Sequence, residues 1–60
     1  MANKAQASIA RLIDEAEAVL TGIRADLERL PPGPHRSKLL EFCRDSLFGV
    51  IKLRTMVQQT

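Results

Sequence analysis

Leu30-Pro31-Pro32-Gly33-Pro34 divides the chain. Proline fixes its own φ, lacks an amide hydrogen and pushes the residue before it away from helical angles, so a helix arriving from the N-terminal side should have Leu30 as its last residue. Pro34 suits the first position of a second helix, where no N–H is needed, with Gly33 or Ser37 available as a cap. A turn confined to residues 31–34 leaves little choice of geometry: the two helices lie antiparallel.

On the N-terminal side, Asn3 and Gln6 resemble a capping box, with an amide in place of the usual hydroxyl. No proline interrupts the chain from there to Leu30. Ile9, Ile13, Ala16, Leu20, Ile23, Leu27 and Leu30 follow one another at spacings of 4-3-4-3-4-3, a heptad seam that predicts a helix over residues 4–30. Leu12 and Val19 widen the seam on one side. Gly22 costs roughly 1 kcal/mol relative to alanine, which its place on the solvated face makes tolerable.

On the C-terminal side, a helix over residues 34–58 carries a different pattern. At about 100° per residue its apolar side chains, from Met56 and Phe42 through Leu39, Val50, Cys43 and Leu47 to Ile51, sweep roughly 220°, far beyond the ~100° stripe of an ordinary surface helix. The first helix covers only part of that arc, so the rest should meet another subunit. Ser46 and Gly49 lie inside the arc and would let another helix approach closely. The expected fold is all-α: one domain, a two-helix antiparallel hairpin assembling into an oligomeric helical bundle.

Size points the same way. A chain of 60 residues buries too small a share of its surface to be comfortable alone, and small folds are usually rescued by disulfides, a metal or association. Cys43 is the only cysteine and His35 the only histidine, so neither an internal disulfide nor a metal site is expected, and no cofactor. Association with copies of itself, from dimer to hexamer, remains. The single cysteine and the absence of a secretion signal after Met1 point to the cytoplasm, and no apolar run approaches the ~20 residues of a membrane span.

The net charge is +2, unevenly spread: residues 1–30 sum to −1 and residues 31–60 to +3. The second half is the anion-attracting half. No catalytic constellation accompanies it. His35 and Cys43 stand about two helical turns apart, too far for a nucleophile and its base, and Asp14, Glu15 and Glu17 fall on the solvated side of the first helix, where Arg11 can pair with Glu15. There is no glycine-rich phosphate loop. The reading is that the chain is not an enzyme. Cys43 reads as a core residue, Phe42 likewise, and Phe48 falls on the polar side.

Arg36 and Arg54 share one angular position in the middle of the apolar arc, where a charge is costly unless paired. They can sit at the ends of the bundle and reach water, or Arg36 can point into an intersubunit pocket. His35, Arg36, Ser37 and Lys38 make a donor cluster in the first turn of the second helix, where the dipole and free N–H groups favour anions.

Pro31-Pro32-Gly33-Pro34-His35-Arg36-Ser37, followed by Leu40, Asp45, Ser46, Leu47 and Phe48, resembles the helical hairpin of phage sponge proteins that counter CBASS and Thoeris immunity. In that family a proline-containing turn leads into an Arg-Ser pair opening the second helix. The resemblance implies a helical oligomer, often a hexamer, in the cytoplasm of an infected bacterium. It implies sequestration of a cyclic oligonucleotide or a cyclic ADP-ribose-like signal, with Arg36 contributing to phosphate binding at subunit junctions and Ser37 beside it. Three positions depart from the family pattern: Glu41 stands for a threonine, Cys43 for a leucine and Gly49 for an aromatic residue. Glu41 would repel phosphate if it faced the pocket.

Plasmid copy-control hairpins share the architecture without the sequence and bind paired RNA loops through a basic helical face. The modest net charge and the lack of a dense basic stripe count against RNA here. An adaptor that binds a protein partner through Phe48 and the uncovered arc is the other alternative.

Overall fold

The computed structural model describes residues 4–59. It consists of two α-helices, α1 (Lys4–Leu27) and α2 (Pro34–Gln58), packed antiparallel along their length. The hairpin is a thin slab with Cα extents of 48 × 15 × 9 Å. Asn3, half of the expected capping box, lies outside the described residues.

The turn is built around missing donors. In a continuing helix the carbonyls of Leu27, Glu28 and Leu30 would accept from the amides four residues on, which are those of Pro31, Pro32 and Pro34. None of the three has an N–H. The chain therefore leaves α-geometry early. The Arg29 amide bonds Asp26 O at 3.0 Å and the Leu30 amide bonds Leu27 O at 3.1 Å, the tighter i→i+3 pattern of a helix end. This is why α1 stops at Leu27, three residues short of the boundary expected from Leu30. The other two orphaned carbonyls are served from α2. Arg36 Nη1 donates to Glu28 O at 3.3 Å and to Leu30 O at 3.2 Å. α2 begins at Pro34 as expected, with Gly33 as N-cap in extended backbone and no side chain capping it. The Ser37 amide makes the first helical bond, 3.1 Å to Gly33 O.

Two side chains are buried in the seam between the helices, Ile13 at 4% exposure and Cys43 at 7%. The Cys43 thiol donates to Leu20 O at 3.4 Å, which places Cys43 as the small core residue expected and fixes the level at which the helices face one another. Along α2 the inward line is Arg36, Leu40, Cys43, Leu47, Val50, Arg54 and Val57, at spacings of 4-3-4-3-4-3, with Leu39 half-buried beside it. Along α1 the protected residues are Gln6, Ile13, Ala16, Glu17, Leu20 and Leu27. The α1 seam is thus rotated from the expected one: Ile9, Ile23 and Leu30 are exposed, while Gln6 and Glu17 turn inward.

The cause of the rotation is on α2. Its inward line carries an arginine near each end, and each needs acceptors. Arg36 takes the turn carbonyls. Arg54 Nη2 takes Glu17 Oε1 at 2.8 Å and Asp14 Oδ1 at 2.6 Å. The Arg54 pKa is held above its ordinary value chiefly by the hydrogen bond to Glu17, with burial pulling the other way and Asp14 adding to the rise. Asp14 and Glu17 are therefore not idle surface carboxylates, as their place on the first helix suggests, but the acidic half of a bridge between helices. Glu15 does pair along α1, with Arg11 at 3.4 Å.

A consistent handedness sorts the remaining side chains. Leu12 and Val19 immediately precede the inward residues Ile13 and Leu20; Phe42, Gly49, Leu53 and Met56 immediately precede Cys43, Val50, Arg54 and Val57. Preceding an inward residue means lying about 100° to one hand of it, seen from that helix's own N-terminus. Because the helices run in opposite directions, the same hand on each becomes the same side of the slab. One broad face is therefore apolar, with Ile9 and Ile23 completing it. Its polar residues include Asp26, His35 and Lys38 toward the turn end and Ser46 near the middle of α2. The residues that follow inward positions, Asp14, Thr21, Glu28, Ser37, Arg44 and Thr55, make the opposite face polar, with Ile51 and nearby Phe48 exposed on that side.

Two outcomes are expected in urea or thermal denaturation followed by circular dichroism. Arg36→Ala lowers stability by about 1 kcal/mol, because the carbonyls it leaves are near water and lose a bond rather than becoming buried orphans. Arg54→Gln lowers the midpoint in the wild-type background and lowers it much less when Glu17 is already Gln, a coupling that a charge acting alone would not show.

Candidate functional site

The four residues singled out for anion binding are consecutive, and on a helix consecutive residues point about 100° apart. The structure spreads them accordingly. Arg36 turns inward, half-buried, with Nη1 committed to the two turn carbonyls. A guanidinium has five N–H donors, so Nη2 and Nε stand outside these bonds. Ser37 lies on the polar face. Lys38 lies toward the apolar face, its Nζ 5.6 Å from the centre of the Phe42 ring and 4.0 Å from Glu41 Oε2. His35 is exposed on that same side. Within one chain the four surround the start of α2 and do not converge on a common point.

The polar face holds an open cleft of about 600 Å³ near the turn. Leu40 and Leu47 form its apolar part, and Ser37, Arg24, Arg44, Glu28 and Glu41 surround them. Its charges cancel. Arg24 is paired with Glu28 at 3.3 Å, and Arg44 lies 3.9 Å from Asp45. Glu41 stands in this cleft beside Ser37, so a phosphate approaching Ser37 from this side meets a carboxylate. Of the predicted site residues only Ser37 lines the cleft.

Sequence reasoning missed the occupation of Arg36 by the turn. The signal was present: prolines at 31, 32 and 34 remove the donors for the carbonyls at 27, 28 and 30, and a long cationic donor two residues past the last proline can reach back to them. It also missed the partners of Arg54, because a wheel drawn for α1 alone puts Asp14 and Glu17 outside its apolar stripe.

Ser46 and Gly49 stand on the apolar face, where both are exposed and a β-carbon added at Gly49 would meet nothing within 4 Å. Around them Phe42, Leu53 and Met56 are open, Met56 at 65% exposure. Phe48, 56% exposed, is on the other side. Among the described residues no group of three or more His, Cys, Asp or Glu is placed to hold a metal ion, and no helix is long and apolar enough to cross a membrane. Compared with protein-family models, with curated proteins and with solved structures, the chain has no match, so the likeness to sponge hairpins rests on the residues of the turn and α2 alone.

Proposed function

We propose that this chain is a non-catalytic binding protein that works as a homo-oligomer, and that it sequesters a cyclic oligonucleotide second messenger at junctions between its subunits. The observation that carries the reading is the open apolar face of the hairpin, which a single copy cannot cover. The ligand class comes from the resemblance of the turn and the Arg36-Ser37 pair to phage sponge proteins. The divergence of His35, Arg36, Ser37 and Lys38 within one chain supports a junction site rather than a pocket in one subunit, since only donors from different copies could surround one ligand. The first turn of α2 adds to this: no side chain caps it, so the N–H groups of His35 and Arg36, ahead of the first helical bond at Ser37, and the positive end of the helix dipole are available to an anion.

A second reading has an observation of its own. Phe48 and Ile51 are exposed on the polar face, away from the apolar side. They would suit a helical adaptor or regulator that binds a protein partner there. Structured RNA is the remaining alternative, disfavoured by the pairing of Arg24, Arg44 and Arg54 with carboxylates.

Native mass spectrometry of protein purified from bacterial cells should show an oligomer with a retained anion of cyclic-nucleotide mass. Adding a cyclic di- or trinucleotide at a hundred times its Kd should stabilise the oligomer by about 2.7 kcal/mol, and Arg36→Ala should abolish that increment. The readout is the ligand-induced shift, since the same substitution weakens the turn on its own account. Tight binding of hairpin RNA with a steep loss in salt, and no shift with any cyclic nucleotide, would replace this reading with the RNA one.

A further inference from the structure

The apolar face carries an internal symmetry. On α2, Ser46 and Gly49 flank a centre between Leu47 and Phe48; Phe42 and Leu53 lie equally far from it, and so do Leu39 and Met56. Small stands opposite small and bulky opposite bulky. On α1, Leu12 and Val19 flank a centre at Glu15–Ala16, and Ile9 and Ile23 flank Ala16 itself. The two centres lie at one level of the hairpin. The thiol of Cys43 meets Leu20 O. Stepping between four and five residues from Cys43 away from the turn reaches the α2 centre, and the same count back from Leu20 reaches the α1 centre.

We propose that a second copy of this chain docks on the apolar face through a two-fold axis perpendicular to the helices, passing through both centres. Such an axis lays α1 antiparallel on the partner's α1 and α2 antiparallel on the partner's α2, giving a four-helix bundle in which the interface is self-complementary. Ser46 then meets Gly49 of the other copy, Phe42 meets Leu53, and Leu39 meets Met56, while Ala16 approaches its own mate. The small residues at the centre allow the helices to come close. At the rim, Asp45 and Lys52 are related by nearly the same centre, so each carboxylate faces an ammonium of the other copy. Glu15 comes near its mate, with Arg11 beside it to offset the repulsion. A face 48 Å by 15 Å covers about 700 Å² per copy, close to the ~800 Å² per partner of a stable interface.

This inference rests on the self-assembly part of the proposed function and not on its ligand. Its test combines a cross-link with a pair of face variants. In a Cys43→Ala background, Ala16→Cys should oxidise rapidly to a covalent dimer, while Leu12→Cys, displaced about 11 Å from its mate along the helix direction, should not. In light scattering with the otherwise native chain, Leu53→Asp should raise the dimer Kd by about a hundredfold or more, and Phe48→Asp on the opposite face should leave it unchanged. Asp45→Lys should weaken the dimer, and adding Lys52→Asp should restore it. A helical monomer for the wild type overturns both this inference and the assembly reading. A dimer that Phe48→Asp disrupts, or that Ala16→Cys fails to cross-link, overturns the proposed axis and leaves assembly standing. Absence of cyclic-nucleotide binding bears on the ligand alone.

Discussion

Two helices packed side by side have a single seam, and each can turn only about a third of its circumference toward the other. In this chain the seam buries Ile13 and Cys43 and half-protects a handful of leucines and valines and Ala16. That is little apolar burial against the conformational entropy of ordering some fifty residues, at about 1–2 kcal/mol each for the backbone alone. The large apolar side chains left at the surface, Phe42, Leu53, Met56, Leu12, Val19 and Ile23 among them, are where the missing burial must come from. A face of that size on a slab this thin is the feature on which the proposal of self-assembly rests.

The same scarcity explains why charges hold the ends of the seam. Arg36 and Arg54 occupy inward positions that a longer protein would fill with leucine. Each finds acceptors across the seam: Arg36 takes backbone carbonyls of the turn, and Arg54, near the open end of α2, takes two carboxylates in the middle of α1. Apolar packing tolerates sliding and rotation of one helix against the other. Two arginines near opposite ends, bonded to fixed acceptors, set both the register and the rotation. The rotation in turn decides which residues remain outside, and it brings the exposed stripes of α1 and α2 onto one side of the slab.

The sequence made the hairpin legible because its signals are local. Proline acts on its own residue and the one before, and the start of α2 at Pro34 follows from that alone. The end of α1 was missed by three residues, since the loss of acceptors' partners reaches four residues back from each proline and not one. Burial of Cys43 was readable from its place among leucines and valines. The roles of Asp14 and Glu17 were not, because they depend on which face of α1 meets Arg54, and a periodicity with both Ile9 and Ile13 apolar does not choose between neighbouring faces. For the candidate site, the sequence shows the donors at residues 35–38 but not their directions. Adjacency in sequence places them on different sides of a helix: Arg36 reaches back to the turn carbonyls, while Lys38 lies over Phe42 and near Glu41 on its own helix.

The turn's hold on Arg36 constrains any ligand. Arg36 Nη1 already serves two carbonyls whose normal donors were removed by Pro32 and Pro34. A phosphate that took Nη1 would leave Glu28 O and Leu30 O without their bond, offsetting part of what it gained. A phosphate gripped through Nη2 and Nε would keep the cap intact and find the guanidinium already oriented, with less rotamer entropy left to lose. In the second geometry the turn would position Arg36 for the proposed ligand, and Pro32 and Pro34 would have a purpose beyond reversing the chain: they free the two carbonyls that hold Arg36 in place.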